Sequence, residues 1–349
     1  MRASVVDLFC GVGGITHGFV QEGFDVVAGI DIDPSCRYAY EKNNPSKFIL
    51  KDISKLNGDE VTALFPANAV RVLVGCAPCQ PFSMYNRLKN NTDKWKLLYQ
   101  FSRLIDEVKP EIVSMENVPQ LATYRSSRVF WNFLKVLKNN DYKVSYSVVK
   151  CQNYGVPQRR KRLVLLASRL GSDIDLIPET HKPEDYLTVE DTISELNPVK
   201  AGESDNVDPL HRARGLSDLN LIRLKATPAG GDWRDWPDEL ILRCHRKKRG
   251  RTFKSVYGRM RWDDLAPTIT TQCIGIGNGR FGHPEQDRAI TLREAALFQS
   301  FPEEYDFIDP EADFSSHKLA IHIGNAVPVR LGRVIAQSIK RHLKLTHQE

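Results

Sequence analysis

The chain has 349 residues, enough for one large domain or two, and it can bury a core without disulfide staples. It holds no run close to the roughly 18 apolar residues of a membrane span, and its first residues lack the apolar core and cleavage site of a signal peptide. Seven cysteines form no even framework, which favours a reducing compartment, so the expected location is cytoplasmic.

The positive charge is concentrated in one part of the chain. The formal net charge is +6, yet nine Lys or Arg residues and no Asp or Glu lie between Arg243 and Arg261, and the rest of the chain holds 40 basic and 43 acidic residues. Phe253, Tyr257 and Trp262 lie in or just after this basic run. By itself the run is equally typical of a solvated loop and of a surface that contacts phosphates.

The first 170 residues alternate short apolar runs with amphipathic stretches, the pattern of a mostly parallel sheet flanked by helices. Strands are predicted at 4–9, 26–30, 48–50, 70–75, 112–115, 144–149 and 163–167. Helices are predicted at 16–22, 35–43, 97–108 and 129–138. After about Gly171, Pro, Gly and charged residues become frequent, which indicates a second, loop-rich domain. Order returns at 291–298 and in a C-terminal helix whose apolar face is Leu331, Val334, Ile335, Ile339 and Leu343.

A glycine-rich turn follows the first predicted strand. Gly11, Gly13 and Gly14 let the backbone approach a ligand, and Asp31, at the end of the next strand, can bind ribose hydroxyls. A dinucleotide oxidoreductase would use similar parts, but the G-x-G-x-x-G spacing is absent and Asp7 stands before the glycines. A carboxylate there would repel a pyrophosphate and could face an ammonium group. These features favour S-adenosylmethionine over NAD as the cofactor.

The segment Cys76-Ala77-Pro78-Cys79 follows the strand at 70–75 and allows three interpretations. A zinc site needs four ligands, and no second cysteine pair occurs. A redox dithiol would normally lie in the first strand–helix unit, with no glycine-rich loop before it. The third interpretation is a single nucleophile, Cys79, at the edge where open α/β sheets bind substrates.

Two more acids end predicted strands, and three polar residues precede the last one. Asp52 is equally well explained as an adenine contact and as a helix N-cap. Glu116 ends the strand at 112–115 at the same edge as Cys79, or else is a surface acid or a cap. Strand alternation would direct Gln158, Arg160 and Arg162 to one face.

Six segments, in this order, resemble the signature motifs of the DNA cytosine-5 methyltransferases of bacterial restriction–modification systems. The resemblance runs from about residue 4 to residue 340. The segments are Asp7-Leu8-Phe9-x-Gly11-x-Gly13-Gly14, Pro78-Cys79-Gln80-Pro81-Phe82-Ser83, Glu116-Asn117-Val118, Gln158-x-Arg160-x-Arg162, Leu292-Arg293-Glu294 with Gln299-x-Phe301-Pro302, and Gly324-Asn325-Ala326-Val327-Pro328.

The resemblance implies a fold and a division into domains. The expected fold is α/β, a Rossmann-like, mostly parallel sheet with helices on both faces, together with a smaller, loop-rich, β-containing target-recognition domain. The catalytic and cofactor-binding domain is expected at 1–180, completed by 316–349, and the target-recognition domain at 181–315. Because the basic run falls in the second range, the resemblance makes it an expected DNA contact.

The family's chemistry implies roles for four residues. Cys79 would add to carbon 6 of cytosine, which makes carbon 5 nucleophilic enough to accept the methyl group. Glu116, carrying or sharing a proton, would stabilise the charge on ring nitrogen 3. Arg162, with Arg160 as a second candidate, would donate to the carbonyl oxygen of the base and to phosphate. The target base must be flipped out of the duplex for any of these contacts.

The resemblance also implies the binding residues, and no metal is expected. Some family members carry an aromatic residue where Ile32 stands, so cofactor stacking should be weaker here. The expected cofactor contacts are Asp7, Phe9, Gly11, Gly13, Gly14, Asp31, Ile32, Asp52, Pro78, Asn325 and Val327. The expected DNA contacts are Gln80, Ser83, Arg87, Gln158, Arg246, Lys247, Lys248, Arg249, Arg251, Arg259, Thr268, Thr270 and Arg280.

Three alternatives remain at the level of the sequence. They are methylation of tRNA by the related branch of the family, a catalytically silent DNA-binding relative, and a dehydrogenase. The expected partners are double-stranded DNA and, acting independently, a cognate restriction endonuclease; the expected state is a monomer. Cys76 is interpreted as a bystander, so Cys76→Ala should leave activity largely intact.

Overall fold

The structure is a computed structural model that describes residues 2–78, 96–123 and 127–346. The chain divides into two compact units. Unit 1 comprises Met1–Tyr154, Lys161–Thr180 and Ala326–Glu349, and unit 2 comprises Gly155–Arg160 and His181–Asn325. Residues 155–160 and 316–325 belong to unit 2, and the assignment of catalytic and target-recognition domains to these ranges stays a prediction. Among the described residues, no helix has the length and apolar character to cross a membrane.

Unit 1 is built on a seven-stranded sheet in the order β3-β2-β1-β4-β5-β7-β6. The first five strands of this order are parallel, and β7 is antiparallel to both β5 and β6. This confirms the mostly parallel sheet, and all seven predicted strands are present. Their bounds are β1 Ala3–Leu8, β2 Asp25–Asp31, β3 Lys47–Leu50, β4 Val70–Gly75, β5 Ile112–Asn117, β6 Lys143–Lys150 and β7 Lys161–Ser168.

The four predicted helices of unit 1 are present, and the second of them begins as a 3-10 turn at Pro34–Cys36. The predicted C-terminal helix is also confirmed, with its apolar face buried. Short helices that the sequence did not indicate lie between the strands. The helices of unit 1 are α1 Gly14–Gln21, α2 Arg37–Asn43, α3 Gly58–Thr62, α4 Leu97–Val108, α5 Gln120–Thr123, α6 Ser127–Asn139 and α11 Val329–Leu345.

Both faces of the sheet in unit 1 are covered. Alternate strand residues such as Val6 and Leu8 join a core cluster with α4 and α6, and the intervening residues such as Val5 are equally buried. On that second face, Ser168 of β7 is hydrogen-bonded to His342 of α11 at 2.7 Å. Helix α11 also packs closely on α1, and a Cβ on Gly18 would lie 2.6 Å from the backbone nitrogen of Arg333.

Unit 2 has helices and turns, and no strand is found at 155–160 or 181–325. Its helices are α7 Val189–Ile193, α8 Asp218–Lys225, α9 Leu292–Phe298 and α10 Ser316–Asn325. The loop-rich character is as predicted, but the expected β content is limited to isolated bridges such as that between Arg259 and Gly282. The physical reason is that buried arginines satisfy backbone carbonyl groups there: Arg259 donates to the carbonyls of Thr227, Leu224, His283 and Gln286.

Candidate active site at the carboxyl edge of the sheet

The parallel strands of unit 1 end together at one edge. Leu8 of β1 is paired in register with Gly75 of β4, and Asp31 of β2 with Leu50 of β3. Strand β7 runs the other way, so its first residues lie beside the end of β5. The residues at the ends of the five parallel strands and those at the start of β7 are therefore brought together, as in other open α/β sheets.

The glycine-rich turn after β1 is a tightly constrained loop. Phe9, Gly11 and Gly13 have positive φ angles of 62°, 52° and 89°. A Cβ on Gly14 would lie 2.2 Å from the carbonyl oxygen of Val327, so only glycine lets α1 start against that backbone. Gly11, by contrast, faces open space, with nothing within 4 Å of an added Cβ. The loop thus has a packed side against Val327 and an open side that can receive a ligand.

Asp31 fixes this loop against the end of β2. Its carboxylate accepts hydrogen bonds from the backbone amides of Gly11 and Asp33, both at 2.9 Å. The neighbouring Ile32 is 65% exposed, and Leu50, across the strand pair from Asp31, is 46% exposed. An acid flanked by two exposed apolar side chains is suited to a ribose with an adjoining flat base. Ile32 supplies this apolar surface without an aromatic ring.

Asp7 lies beneath the loop rather than on its open side. Its side chain is buried, and its Oδ2 accepts a hydrogen bond of 2.7 Å from the hydroxyl of Thr16. Burial raises the pKa of Asp7 to about 7, against the lowering effect of Thr16 and with a further rise from the charge of Asp31. The carboxyl group supports the first turn of α1 through Thr16, and its contact with a ligand's ammonium group stays a prediction.

Asp52 is used locally at the end of β3. Its carboxylate accepts from the backbone amide and the hydroxyl of Ser54, at 2.9 and 2.8 Å, and caps the 3-10 turn Ile53–Lys55. These hydrogen bonds lower the pKa of Asp52. Of the two interpretations from the sequence, the cap is the one seen, and contact with adenine remains a prediction.

The first residues of the cysteine segment meet the end of β5. The thiol of Cys76 donates to Oε2 of Glu116 at 2.8 Å, and the amide of Asn117 donates to the carbonyl oxygen of Ala77 at 3.1 Å. Glu116 is 2% exposed, and the Nε of Arg162 lies 2.7 Å from its Oε1. Two of the four predicted catalytic residues, Glu116 and Arg162, are therefore in direct contact, and Cys76, predicted to be a bystander, contacts Glu116 as well.

Cys79 itself lies outside the described residues, as do Gln80, Ser83 and Arg87. Pro78 is the last described residue before them. The role of Cys76 could have been suspected from the sequence, because it directly follows β4 while Glu116 lies at the end of β5. Recognising that the two meet requires the register of these strands, in which Gly75 is paired with Met115.

Gln158 and Arg160 belong to unit 2 and are inward-facing there. Strand β7 begins at Lys161, so the expected alternation of three side chains on one face applies to Arg162 alone. The amide of Gln158 is fully buried, donates to the carbonyl oxygen of Phe298 at 2.6 Å and accepts from the backbone of Ile269 at 3.0 Å. A contact of Gln158 with DNA would require this amide to leave both partners, and it stays a prediction. Arg160 is 2% exposed and donates to the carbonyl oxygen of Ile269 at 3.0 Å.

Two other predicted DNA contacts are also structural. Arg259 is 5% exposed, and its guanidinium donates to four carbonyl groups and to the carboxylate of Asp287. Arg280 donates to the carbonyl oxygen of Gly231 at 2.6 Å and lies 3.2 Å from the carboxylate of Asp232. Both arginines therefore support the turns of unit 2, and their contact with DNA stays a prediction. Thr268 donates to the carbonyl oxygen of Arg159, and Thr270 is partly exposed.

The basic run consists of exposed turns that pack on a pair of buried aromatic rings, those of Trp233 and His245. His245 is buried against Trp233, with ring centroids 4.4 Å apart, and burial lowers its pKa. The indole of Trp233 donates to the carbonyl oxygen of Phe253 at 2.8 Å, so the segment after the exposed cations is attached to the same pair of rings. The exposed cations of these turns are Arg246, Lys247, Lys248, Arg249 and Arg251.

Val327 and Asn325, the last two predicted cofactor residues, lie on either side of the division between the units. Val327 is 5% exposed, and its carbonyl oxygen is the group that Gly14 approaches. Asn325 is the last residue of α10 in unit 2. The backbone of Val327 thus lies against the glycine-rich loop. Contact of Val327 and Asn325 with the cofactor stays a prediction.

Comparison with known proteins gives concordant results. The family model of the C-5 cytosine-specific DNA methylases matches residues 3–341. The Type II methylase M.HgiDII of Herpetosiphon aurantiacus is 56% identical over 348 residues, which cover 100% of this chain and 98% of that protein. The Type II methyltransferase M1.HphI of Haemophilus parahaemolyticus is 29% identical over 343 residues, which cover 97% of this chain and 87% of that protein.

Solved structures show the same fold at low sequence identity. An Escherichia coli prophage protein described as a DNA modification methyltransferase superposes with a TM-score of 0.76 at 22% identity, covering 98% of this chain and 100% of that one. The Dnmt2 methyltransferase of S. pombe gives a TM-score of 0.61 at 17% identity, covering 98% and 99% of the two chains.

Proposed function

The chain belongs to the C-5 cytosine-specific DNA methylases, and from that premise we propose how it acts. It is a DNA (cytosine-5) methyltransferase, and its proposed reaction is methylation of one cytosine in a specific double-stranded sequence, with S-adenosylmethionine as methyl donor. The proposed biological setting is a restriction–modification system, in which a separate endonuclease would cut the unmethylated site.

The observation that carries this proposal is the contact of Arg162 with Glu116 at the edge of the sheet. Glu116 is almost fully buried, so its carboxyl group needs a partner, and the 2.7 Å contact with Arg162 supplies one. A protonated carboxyl group and a guanidinium held together present two donors, which match the two acceptors of cytosine, ring nitrogen 3 and the carbonyl oxygen. The segment that carries Cys79 starts three residues earlier in the chain, at the thiol that touches Glu116.

The reaction divides between these groups. The thiolate of Cys79 forms a bond to carbon 6, and the ring electrons move toward nitrogen 3, where the Glu116 carboxyl group stabilises them. Arg162 orients Glu116 and donates to the carbonyl oxygen of the base. S-adenosylmethionine supplies the electrophilic methyl group for carbon 5. A base then removes the proton on carbon 5, the carbon–sulfur bond breaks, and the thiolate is released.

The glycine-rich loop fits the proposed cofactor. The open side at Gly11, the Asp31 carboxylate and the exposed Ile32 provide backbone, acidic and apolar surface in one place. Gly13 and Gly14 start α1 with backbone amides at the loop, and Phe9 adds an aromatic ring at the end of β1. We assign the ribose to Asp31 and the base to the surface formed with Ile32.

DNA binding is assigned to the exposed cations of unit 2. The exposed run contains Arg246, Lys247, Lys248, Arg249 and Arg251, whose charges are not matched by any Asp or Glu from Arg243 to Arg261. Such a run neutralises phosphates and gives sequence-independent affinity. Sequence reading is assigned to Thr268 and Thr270 of the neighbouring loop, which are partly exposed.

The test of the proposal is the nucleophile. Cys79→Ser should abolish methyl transfer to bacteriophage λ DNA and the denaturant-resistant complex with DNA that contains 5-fluorocytosine, because an alcohol is a much poorer nucleophile than a thiolate. The melting temperature should stay close to that of the unmodified protein. A Cys79→Ser protein with full activity would refute the mechanism, and methyl transfer to tRNA in preference to duplex DNA would refute the substrate.

A further inference from the structure

The thiol of Cys76 lies 2.8 Å from Oε2 of Glu116, on the opposite carboxyl oxygen from the one that Arg162 touches. Each oxygen of the buried carboxyl group therefore has its own neighbour, one charged and one weakly donating. Two neighbours on different oxygens fix both the position of the group and the rotation of its plane. Arg162 alone would leave that rotation less restricted.

The contact is part of a paired attachment between two chain segments. The consecutive residues Cys76 and Ala77 are hydrogen-bonded to the consecutive residues Glu116 and Asn117, at 2.8 and 3.1 Å. The pairing extends the register of the parallel strands β4 and β5 beyond their last paired residues, Gly75 and Met115. The start of the segment that carries Cys79 is thus attached to the proposed acid itself.

We propose that Cys76 is a positioning residue for methyl transfer, whose thiol orients the Glu116 carboxyl group toward the flipped cytosine. This rests on the proposed role of Glu116 and replaces the interpretation of Cys76 as a bystander. A thiol suits the position because it is a weak hydrogen-bond donor. It orients the carboxyl group from the oxygen that Arg162 does not contact.

The experiment uses the full chain with Cys76→Ala and Cys76→Ser. The measured quantities are the single-turnover rate of methyl transfer to bacteriophage λ DNA, and KM for the DNA and for S-adenosylmethionine. Cys76→Ala should slow the transfer about tenfold, as expected for the loss of one hydrogen bond to a charged group, with both KM values within about twofold. Cys76→Ser keeps a donor and should remain within about threefold of the unmodified protein.

A matched control separates this role from the general effect of losing a buried thiol. Cys151 is fully buried in unit 1, in the 3-10 turn that follows β6, and β7 lies between β6 and the strand that carries Glu116. Cys151→Ala should lower the melting temperature without changing the transfer rate. An unchanged rate in Cys76→Ala, or equal losses in Cys76→Ala and Cys76→Ser, would overturn the proposal.

A double-mutant cycle keeps the test decisive if Cys76→Ala lowers stability. In a Glu116→Gln background the thiol has lost the carboxylate that it orients, so adding Cys76→Ala should change the residual rate less than twofold. A further tenfold loss in that background would overturn the proposal. The outcome for Cys79→Ser is separate: an active Cys79→Ser protein refutes the reaction itself, whereas an inactive one with unaffected Cys76→Ala refutes only the positioning role.

Discussion

Arginine side chains serve different purposes in the two units. In unit 1 the sheet is held by strand pairing and apolar burial, and Arg162 at its edge places its guanidinium on Glu116, at the proposed site of chemistry. In unit 2, where no strand is found, Arg259 and Arg288 are buried and donate to backbone carbonyl groups. Arg162 is therefore placed at the proposed site of chemistry, whereas Arg259 and Arg288 are part of the framework of unit 2.

This difference changes how the positive charge of the chain should be interpreted. Of the cations in and around the basic run, Arg259 and Arg280 are committed to carbonyl groups, whereas Lys247, Lys248 and Arg249 are exposed. A count of basic residues therefore overstates the surface that DNA can contact. The exposed turns, rather than the whole run, are the proposed electrostatic surface.

The largest effect should come from the edge of the sheet in unit 1. Glu116→Gln keeps the size and one acceptor of the side chain but removes its ability to share a proton with the base, so kcat should fall about 100- to 10,000-fold. The single-turnover rate on bacteriophage λ DNA measures this. The melting temperature should change little, because the amide can still contact its neighbours.

Glu111 offers a matched acid just before the other end of β5. It pairs with Arg71 at 2.8 Å, and its side chain is 28% exposed. Glu111→Gln should leave kcat unchanged and cost at most about 1 kcal/mol of stability. Equal losses of kcat in Glu116→Gln and Glu111→Gln would contradict a catalytic role that belongs to Glu116 and not to Glu111.

The next largest effect should be on the framework of unit 2. Arg288 and Glu294 form a salt bridge of 2.7 Å with both side chains 1% exposed. Burial alone would raise the pKa of Glu294, but the hydrogen bonds and charge of Arg288 lower it. Arg288→Met should lower the free energy of unfolding by about 3–5 kcal/mol, because it leaves a buried carboxylate unpaired. Urea unfolding measures this loss.

Replacing both partners separates the cost of an unpaired Glu294 carboxylate from the loss of the carbonyl contacts that Arg288 makes. Arg288→Met combined with Glu294→Leu removes both charges and should recover most of the lost stability. A double variant no more stable than Arg288→Met would show that the carbonyl contacts of the guanidinium, at 2.9 Å to Val199 and 3.1 Å to Ala289, carry the effect instead.

A smaller effect is expected from the exposed turns. Changing Lys247, Lys248 and Arg249 together to Gln should weaken DNA binding about tenfold or more and reduce the slope of log Kd against log salt by about 3 if all three contact phosphates. Fluorescence anisotropy with a mixed-sequence duplex over a range of NaCl concentrations measures both quantities.

The control for this variant is an equal loss of charge in unit 1. Three exposed lysines on and after α6 can be changed to Gln in the same way, and neither the affinity nor the salt slope should change by a comparable amount. They are Lys135, Lys138 and Lys143. Equal losses in the two triple variants would mean that DNA responds to net charge and not to the basic run.

The sequence predicted unit 1 far better than unit 2, and the reason is physical. Apolar runs identify buried strands directly, and the acid at a strand end, Glu116, could be located from them. No comparable pattern marks Arg259 or Gln158 as buried, because a charged or amide side chain in a loop-rich region looks the same whether it contacts DNA or a carbonyl group. Cys76 was missed for another reason: its contact depends on the register between β4 and β5, which a single sequence does not state.

Two buried titratable groups should give the units opposite responses to pH. Burial raises the pKa of Asp7 in unit 1 to about 7 and lowers the pKa of His283 in unit 2 to about 4. The contribution of Asp7 to stability is full below about pH 4, the range where the unfolded carboxyl group titrates, and is lost as pH rises toward 7. That of His283 is full above about pH 6.5 and is lost as pH falls toward 4.

Urea unfolding of Asp7→Asn and His283→Gln at intervals from pH 4 to pH 8 tests these signs. Relative to the unmodified protein, Asp7→Asn should gain stability with rising pH up to about pH 7, by at most about 1.4 kcal/mol per pH unit for one proton. His283→Gln should lose relative stability over pH 4 to 6.5, because the unmodified protein gains there. Parallel pH curves for Asp7→Asn and the unmodified protein would mean that Asp7 is ionised in the folded state, and its carboxylate would then act on the glycine-rich loop as a charge.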